Sequence, residues 1–420
     1  MVASNLLRRI GQNTGILLTV NIVGSLMGFL MAVALGRGLG DAGFGQYSFV
    51  MTWLLSLMLL AEFGLSTVLT RDVAAQPERT HSYLFNSIAG KSLLSLPAII
   101  ILLFFAPELA ADQNPVVIPA LRWGVIFLYT GLVYSSFTAV FRAHQVMMPI
   151  LWLTLGGQII LLVGTLWLLL AQQPLFLLIA WAGLSQLLQC SLAYLLYQNF
   201  ARDFHPTQSW KVEKPLLKAL LIKAWPFALA GLLAALQLRA NALILAYLAG
   251  DQALGWYAAA NRFVETGKQL PAAFYAAMLP AMAALAGARN VQQSQALHKT
   301  LTQSRLGLLV FGGLASLGAL VLAEPILSLT YGPMYQPATL TLQLLTLTLI
   351  PSGQNSLLII YLYACDDEKF VNLLTALGAL VNLTLCFWLI PQWGAAGTAM
   401  ALLVAESLLY LPYRLRAARR

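Results

Sequence analysis

The chain has 420 residues, 60% of them hydrophobic and only 9% charged, against about 25% charged in an ordinary soluble domain. That composition excludes a soluble globular protein and makes the lipid bilayer the solvent of folding. A net charge of +9 would suggest nucleic acid in a soluble protein, so its meaning depends on where the 24 Lys and Arg residues fall.

Arg8 and Arg9 precede an apolar run that continues to Gly36 without a cleavage site, which predicts a first membrane helix and not a signal peptide. A helical crossing needs about 20 apolar residues, and such runs recur along the chain. The predicted spans are about 13–36, 45–70, 86–107, 116–140, 148–171, 174–199, 224–249, 255–286, 305–330, 338–364, 370–391 and 395–413. The expected class is an all-α polytopic membrane protein of about 12 transmembrane helices.

Twelve crossings put both ends of the chain on one side, and the connections sort alternately by charge. One set runs from Arg8 and Arg9 through Arg71, Arg79, Lys91, Arg142, Arg202, the Lys211 to Lys223 cluster, Arg289, Lys299, Arg305 and Lys369 to the C-terminal arginines. The other set holds Arg37 and Arg122. Lys and Arg are retained on the cytoplasmic side, so both termini are expected in the cytoplasm of an inner-membrane protein. The positive excess then meets anionic lipid heads, and no nucleic-acid partner is needed. His81, His144, His205 and His298 fall in the cytoplasmic connections, and Cys190, Cys365 and Cys386 lack metal-ligand spacing. No metal, cofactor or histidine chemistry is therefore expected. Asp366-Asp367-Glu368 is expected to be cytoplasmic and solvated.

The longest polar connection, from Ala201 to Ile222, contains His205-Pro206 and Lys214-Pro215 and divides the chain. On either side lies a short repeat. Gly40-Asp41-Ala42-Gly43-Phe44-Gly45-Gln46-Tyr47 corresponds to Gly250-Asp251-Gln252-Ala253-Leu254-Gly255-Trp256-Tyr257, 210 residues later. Each copy joins the first two spans of its half. Two pseudo-symmetric six-helix lobes, residues 1–210 and 211–420, are expected from this placement. Glycine at the turn and aspartate ahead of the next helix favour a structural role for both copies.

Charges inside a membrane are costly and mark cavities or partners. Arg239 lies in span seven, and Arg262, Glu265 and Lys268 follow at spacings of three in span eight, extended by Asn261 and Gln269. Arg262 stands about 10 Å and Lys268 about 20 Å along the helix from Gly255, so the stripe reaches mid-membrane. On one reading Arg239, Arg262 and Lys268 attract an anionic diphosphate. On the other, Glu265 neutralises one cation and the rest snorkel or bond neighbouring helices. Glu62 and Glu406 are candidate ion-coupling positions, or simply partners of cytoplasmic arginines.

Leu35-Gly36-Arg37-Gly38-Leu39-Gly40, Phe44-Gly45-Gln46-Tyr47-Ser48-Phe49, Glu62-Phe63-Gly64-Leu65-Ser66 and Thr70-Arg71-Asp72 together resemble the N-terminal signature of polysaccharide-biosynthesis flippases. These are the Wzx-type members of the multidrug/oligosaccharidyl-lipid/polysaccharide exporter superfamily. Phe141-Arg142-Ala143 and Trp393-Gly394-Ala395-Ala396-Gly397 extend the resemblance more weakly. It implies two six-helix lobes in a V around a central cavity, opening alternately while an undecaprenyl-diphosphate-linked oligosaccharide reorients. The expected role is a non-enzymatic flippase for cell-surface polysaccharide such as O-antigen, capsule or exopolysaccharide. Its partners would be the lipid-linked substrate, membrane lipids and other polysaccharide-assembly proteins. A multidrug or cation antiporter of the same superfamily is the alternative, disfavoured by a stripe with more cations than anions. A membrane glycosyltransferase or polymerase is further off, since the chain has no Asp-x-Asp and only short outer connections.

Overall fold

The computed structural model describes residues 2–110, 114–201, 211–272, 274–275, 278, 291–365 and 367–418. Arg202, His205-Pro206, Pro280, Arg289, Asp366, Arg419 and Arg420, together with the end of the eighth predicted span, lie outside the described residues.

The fold is all-α. In chain order the helices are α1 (Val2–Glu62), α2 (Leu65–Ala75), α3 (Thr80–Phe104), α4 (Ala106–Ala110), α5 (Val117–Ala143), α6 (Met148–Leu170), α7 (Leu175–Ala201), α8 (Lys214–Gly267), α9 (Val291–Thr330), α10 (Thr339–Leu347), α11 (Leu349–Ala364) and α12 (Glu368–Ala418). A helix of n residues is about 1.5n Å long, so α1, α8 and α12, with 61, 54 and 51 residues, are each too long for one crossing. Each contains a break, at Gly40, Gly250 and Gly394 respectively. Divided there, and with α10 and α11 forming one span, the helices supply the twelve crossings of a polytopic membrane fold. Lipid offers backbone groups no partner, which is why the spans are built of helices. The polar connection after Ala201 is shorter than expected, because α8 starts at Lys214 with Pro215 in its first turn, where a missing N–H costs nothing.

The chain forms two compact units. Unit 1 contains residues 1–31 and 46–243; unit 2 contains 32–45 and 244–420. In unit 1, Leu65, Leu69, Leu84, Phe141, Tyr197 and Leu220 are among the side chains closing a core drawn from α2, α3, α5, α6, α7 and α8. In unit 2, Leu357, Leu362, Val371 and Tyr413 anchor a core built mainly from α11 and α12, with Leu308 of α9 and Met278 packed into it.

The sequence repeat is also a conformational repeat. Gly40 has φ 71 and ψ −178, and Gly250 has φ 81 and ψ −178, a region that only glycine enters at low cost. Within unit 2 the two copies meet: a Cβ at Gly45 would collide with the Asp251 carbonyl, and one at Gly255 with the Asp41 carbonyl. Asp41 Oδ1 accepts from the Ala42 amide at 2.8 Å, and its Oδ2 accepts from Gln252 and Trp256 at 2.7 and 3.1 Å. Asp41 is thus a structural cross-link in this arrangement. Nothing lies within 4 Å of a Cβ placed on Gly250, so a Gly250→Ala variant isolates the backbone cost. It is expected to lose about 1–3 kcal/mol, read as a lower melting temperature in detergent; an unchanged melt would remove the argument from φ and ψ.

Candidate functional site

A densely partnered charge cluster lies in unit 1, at a break in the second span. α1 ends at Glu62, Phe63 (φ 51) and Gly64 (φ 73) take left-handed conformations, and α2 resumes at Leu65. The break aims the freed N-terminal amide of Ser66 at Glu62 Oε1, 3.0 Å away, an anion at a helix N-terminus. From α3, Lys91 reaches Glu62 Oε2 at 2.9 Å with its side chain only 1% exposed. It also donates to the Ser66 and Ser135 hydroxyls at 2.7 Å each. Lys91, sorted by sequence with the basic residues of the cytoplasmic connections although it stands five residues into the third predicted span, is therefore buried and not solvated. An ammonium this deep persists only with its donors satisfied, and Glu62, read from sequence as an ion-coupling position or the partner of a cytoplasmic arginine, meets that requirement.

The predicted stripe is partly assembled in unit 2. Glu265 accepts from Asn261 Nδ2 at 3.0 Å and from Arg262 Nη1 at 3.1 Å, with Glu265 half exposed. Arg262 Nε is buried without a hydrogen-bond partner among the described residues. α8 ends at Gly267, so Lys268 follows at a turn where it is exposed, and Gln269 is half-buried. Among the described residues neither Lys268 nor Arg239 has an ion pair, and Arg239 belongs to unit 1. The structure thus joins Asn261, Arg262 and Glu265, and does not bring Lys268, Gln269 or Arg239 into that bonded group.

Glu406 of α12 accepts from Asn355 Nδ2 at 2.7 Å, not from a cytoplasmic arginine. One residue earlier, Gln354 Oε1 accepts from Arg305 Nε at 3.2 Å, and Tyr410 Oη accepts from Arg305 Nη2 at 2.5 Å. Arg305, assigned by sequence to a cytoplasmic connection, is therefore tied into the α9, α11 and α12 side-chain network. A cavity of about 270 Å³ in unit 1 is lined by Tyr47, Tyr134, Thr154, Gln158, Gln186 and Gln189, among others. Charge counting missed it because carboxamides carry no charge; three glutamines within apolar helices were the available signal.

Beyond the predicted spans, Arg416 grips Asp367 through Nε and Nη2 at 2.6 and 2.9 Å. Asp367 is 7% exposed, which corrects the solvated reading at that residue, while Glu368 beside it is exposed as expected. His81 lies within α3 and bonds the Tyr197 hydroxyl at 3.1 Å, while His144 caps α5 and bonds Thr80 at 3.0 Å. Asp72 pairs with Lys223 at 2.7 Å and Arg71 at 2.9 Å. Burial acts to raise the Asp72 pKa, but the hydrogen bonds and charges of Lys223 and Arg71 outweigh it and hold the pKa below 3.8. A depressed folded pKa contributes stability that is present above the unfolded value and lost as pH falls through the folded one. Asp72→Asn is therefore expected to melt below the wild type at neutral pH, with the gap closing under pH 3.8; a gap independent of pH in thermal melts would contradict this.

The fold has known counterparts. A multidrug resistance MATE family transporter of the MOP superfamily, in an inward-facing conformation, matches with TM-score 0.75 and 13% identity over 94% of this chain and 95% of that one. The lipid II flippase MurJ, inward closed, matches with TM-score 0.76 and 15% identity over 96% of this chain and 88% of that one. A MOP superfamily transporter from Pyrococcus furiosus gives TM-score 0.60 and 14% identity, covering 97% and 95%. No curated protein matches the chain. At 13–15% identity these likenesses show a shared fold. The family described as polysaccharide biosynthesis protein matches residues 10–286, and with about two thirds of its length so matched the chain belongs to that family, as a multi-pass inner-membrane protein.

Proposed function

We propose that the chain flips an undecaprenyl-diphosphate-linked oligosaccharide across the inner membrane by alternating access, supplying cell-surface polysaccharide assembly. The observation that carries this reading is the sign of the unit 2 stripe. Glu265 is already engaged by Arg262, so Lys268 adds a cation that the stripe's one carboxylate does not offset. An anionic diphosphate fits that balance, with Arg262 offering forked donors and Lys268 a point charge. Asn261 and Gln269 would bond neutral oxygens of the same substrate, and Arg239 would add a further cation. Membrane lipids and other polysaccharide-assembly proteins complete the proposed partners.

The likeness to multidrug transporters favours a second reading, export of organic cations, with Glu62 and Glu406 as ion-coupling carboxylates. A strain lacking the chain separates the two. The flippase reading expects lipid-linked glycan to accumulate on the cytoplasmic leaflet with unchanged sensitivity to cationic dyes; heightened dye sensitivity with normal surface glycan supports the antiporter.

Both termini are assigned to the cytoplasm, on the charge asymmetry of the connections. Reporter fusions at Val212 are expected to be active only as cytoplasmic reporters, and periplasmic activity there would reverse the topology. The halves 1–210 and 211–420 are read as copies of one ancestral unit, supported by the shared backbone conformation of Gly40 and Gly250.

A further inference from the structure

Four oxygens converge on one nitrogen inside unit 1. Lys91 Nζ lies 2.9 Å from Glu62 Oε2, 2.7 Å from the Ser66 hydroxyl, 2.7 Å from the Ser135 hydroxyl and 3.3 Å from the Leu132 carbonyl oxygen. One carboxylate, two hydroxyls and a carbonyl form a hard oxygen donor set, the kind that takes alkali and alkaline-earth cations. A single carboxylate balances a single positive charge. The donors also stand at a broken helix, since Phe63 and Gly64 interrupt the span next to Glu62. Unwound backbone inside transporter helices is where cations are coordinated in membrane proteins. Here the ammonium stands at the centre of such a set, on a side chain 1% exposed, while Glu62 keeps 19% exposure and with it a route in for an ion.

We propose that this cluster is a monovalent-cation site whose cation the chain itself supplies as the Lys91 ammonium, and that removing the ammonium converts it into a site for a free alkali cation. The three N–H donors of an ammonium match the three nearest oxygens, so the site is filled and neutral without any ion from solution. Lys91→Ala deletes both the charge and the stem that fills the approach from α3. The carboxylate, already held by the Ser66 amide and the Ser135 hydroxyl at 3.0 and 2.9 Å, remains in place to receive a replacement. Lys91→Met removes the charge and keeps the stem volume, leaving no room for an ion. A purely structural ion pair behaves differently: its loss destabilises the protein by the same amount in every salt.

The test is thermal unfolding of the purified full chain in sodium, potassium or choline chloride at equal ionic strength, because choline is too large for the cage. The wild type sets the baseline response. Lys91→Ala is expected to melt higher in sodium or potassium than in choline by about 2 °C or more beyond that baseline, rising with alkali concentration. Preference for sodium or for potassium reports which ion fits, and either supports the site. Lys91→Met and the double variant Glu62→Gln/Lys91→Ala are expected to show no response beyond baseline. Equal melting of Lys91→Ala in all three salts, or equal failure to survive extraction in all three, overturns the proposal. So does an alkali response that persists in the double variant, which would place the ion elsewhere.

Discussion

Glu62→Ala is expected to destabilise the protein by about 3–5 kcal/mol, the usual cost of removing one partner from a buried ion pair. The variant strands an ammonium whose side chain is 1% exposed and takes the acceptor from the Ser66 amide at the start of α2. Most of the loss comes from the unpaired charge and not from the missing bond itself. Combining Glu62→Ala with Lys91→Met should therefore recover much of it, because an apolar replacement of a whole buried pair is often close to neutral. Chemical denaturation in detergent measures both. A double variant no more stable than Glu62→Ala alone would mean that the cap on Ser66, and not the charge pair, holds the break together.

Neutralising Arg262 and Lys268 together is expected to reduce translocation of a lipid-linked glycan by roughly 10- to 100-fold, from the loss of charge-assisted bonds worth about 1.5–3 kcal/mol. Stability should change little, since the Arg262 and Glu265 side chains are 31% and 49% exposed and pairs at such positions contribute little. Insertion should not suffer, because a cation at the centre of a span costs about 2.5–3.5 kcal/mol on insertion scales. Glu265→Gln, which removes the negative charge 3.1 Å from Arg262, should tighten substrate capture and slow release. Transport by Arg239→Gln/Arg262→Gln/Lys268→Gln at the wild-type rate and equal incorporation would leave the stripe a structural feature only.

The spans were legible in the sequence because lipid permits only long apolar helices, so hydropathy and length carry most of the fold. The repeat at Gly40 and Gly250 was legible for a related reason: a backbone conformation restricted to glycine leaves glycine at the same place in each copy. Spacing of three on one helix put Glu265 in reach of either Arg262 or Lys268, and the structure pairs it with Arg262. Lys91 could not be read this way. Its partners Glu62, Ser66 and Ser135 come from other helices, and sorting charges by the nearest span end sends it to the cytoplasm. The burial of Asp367 against Arg416, and the bonding of Arg305 to Gln354 and Tyr410, escaped the same linear reading. Such tertiary pairings decide whether a charge near a span end is solvated or buried, and one sequence does not contain them.

The most direct measurement is translocation by the purified wild-type chain in proteoliposomes, with a labelled undecaprenyl-diphosphate oligosaccharide and a fluorescent organic cation offered in parallel. The flippase account predicts that the lipid-linked sugar changes leaflets faster than in protein-free vesicles while the cation does not accumulate. Cation transport driven by a proton or sodium gradient, with the lipid-linked sugar moving no faster than in protein-free vesicles, would contradict it.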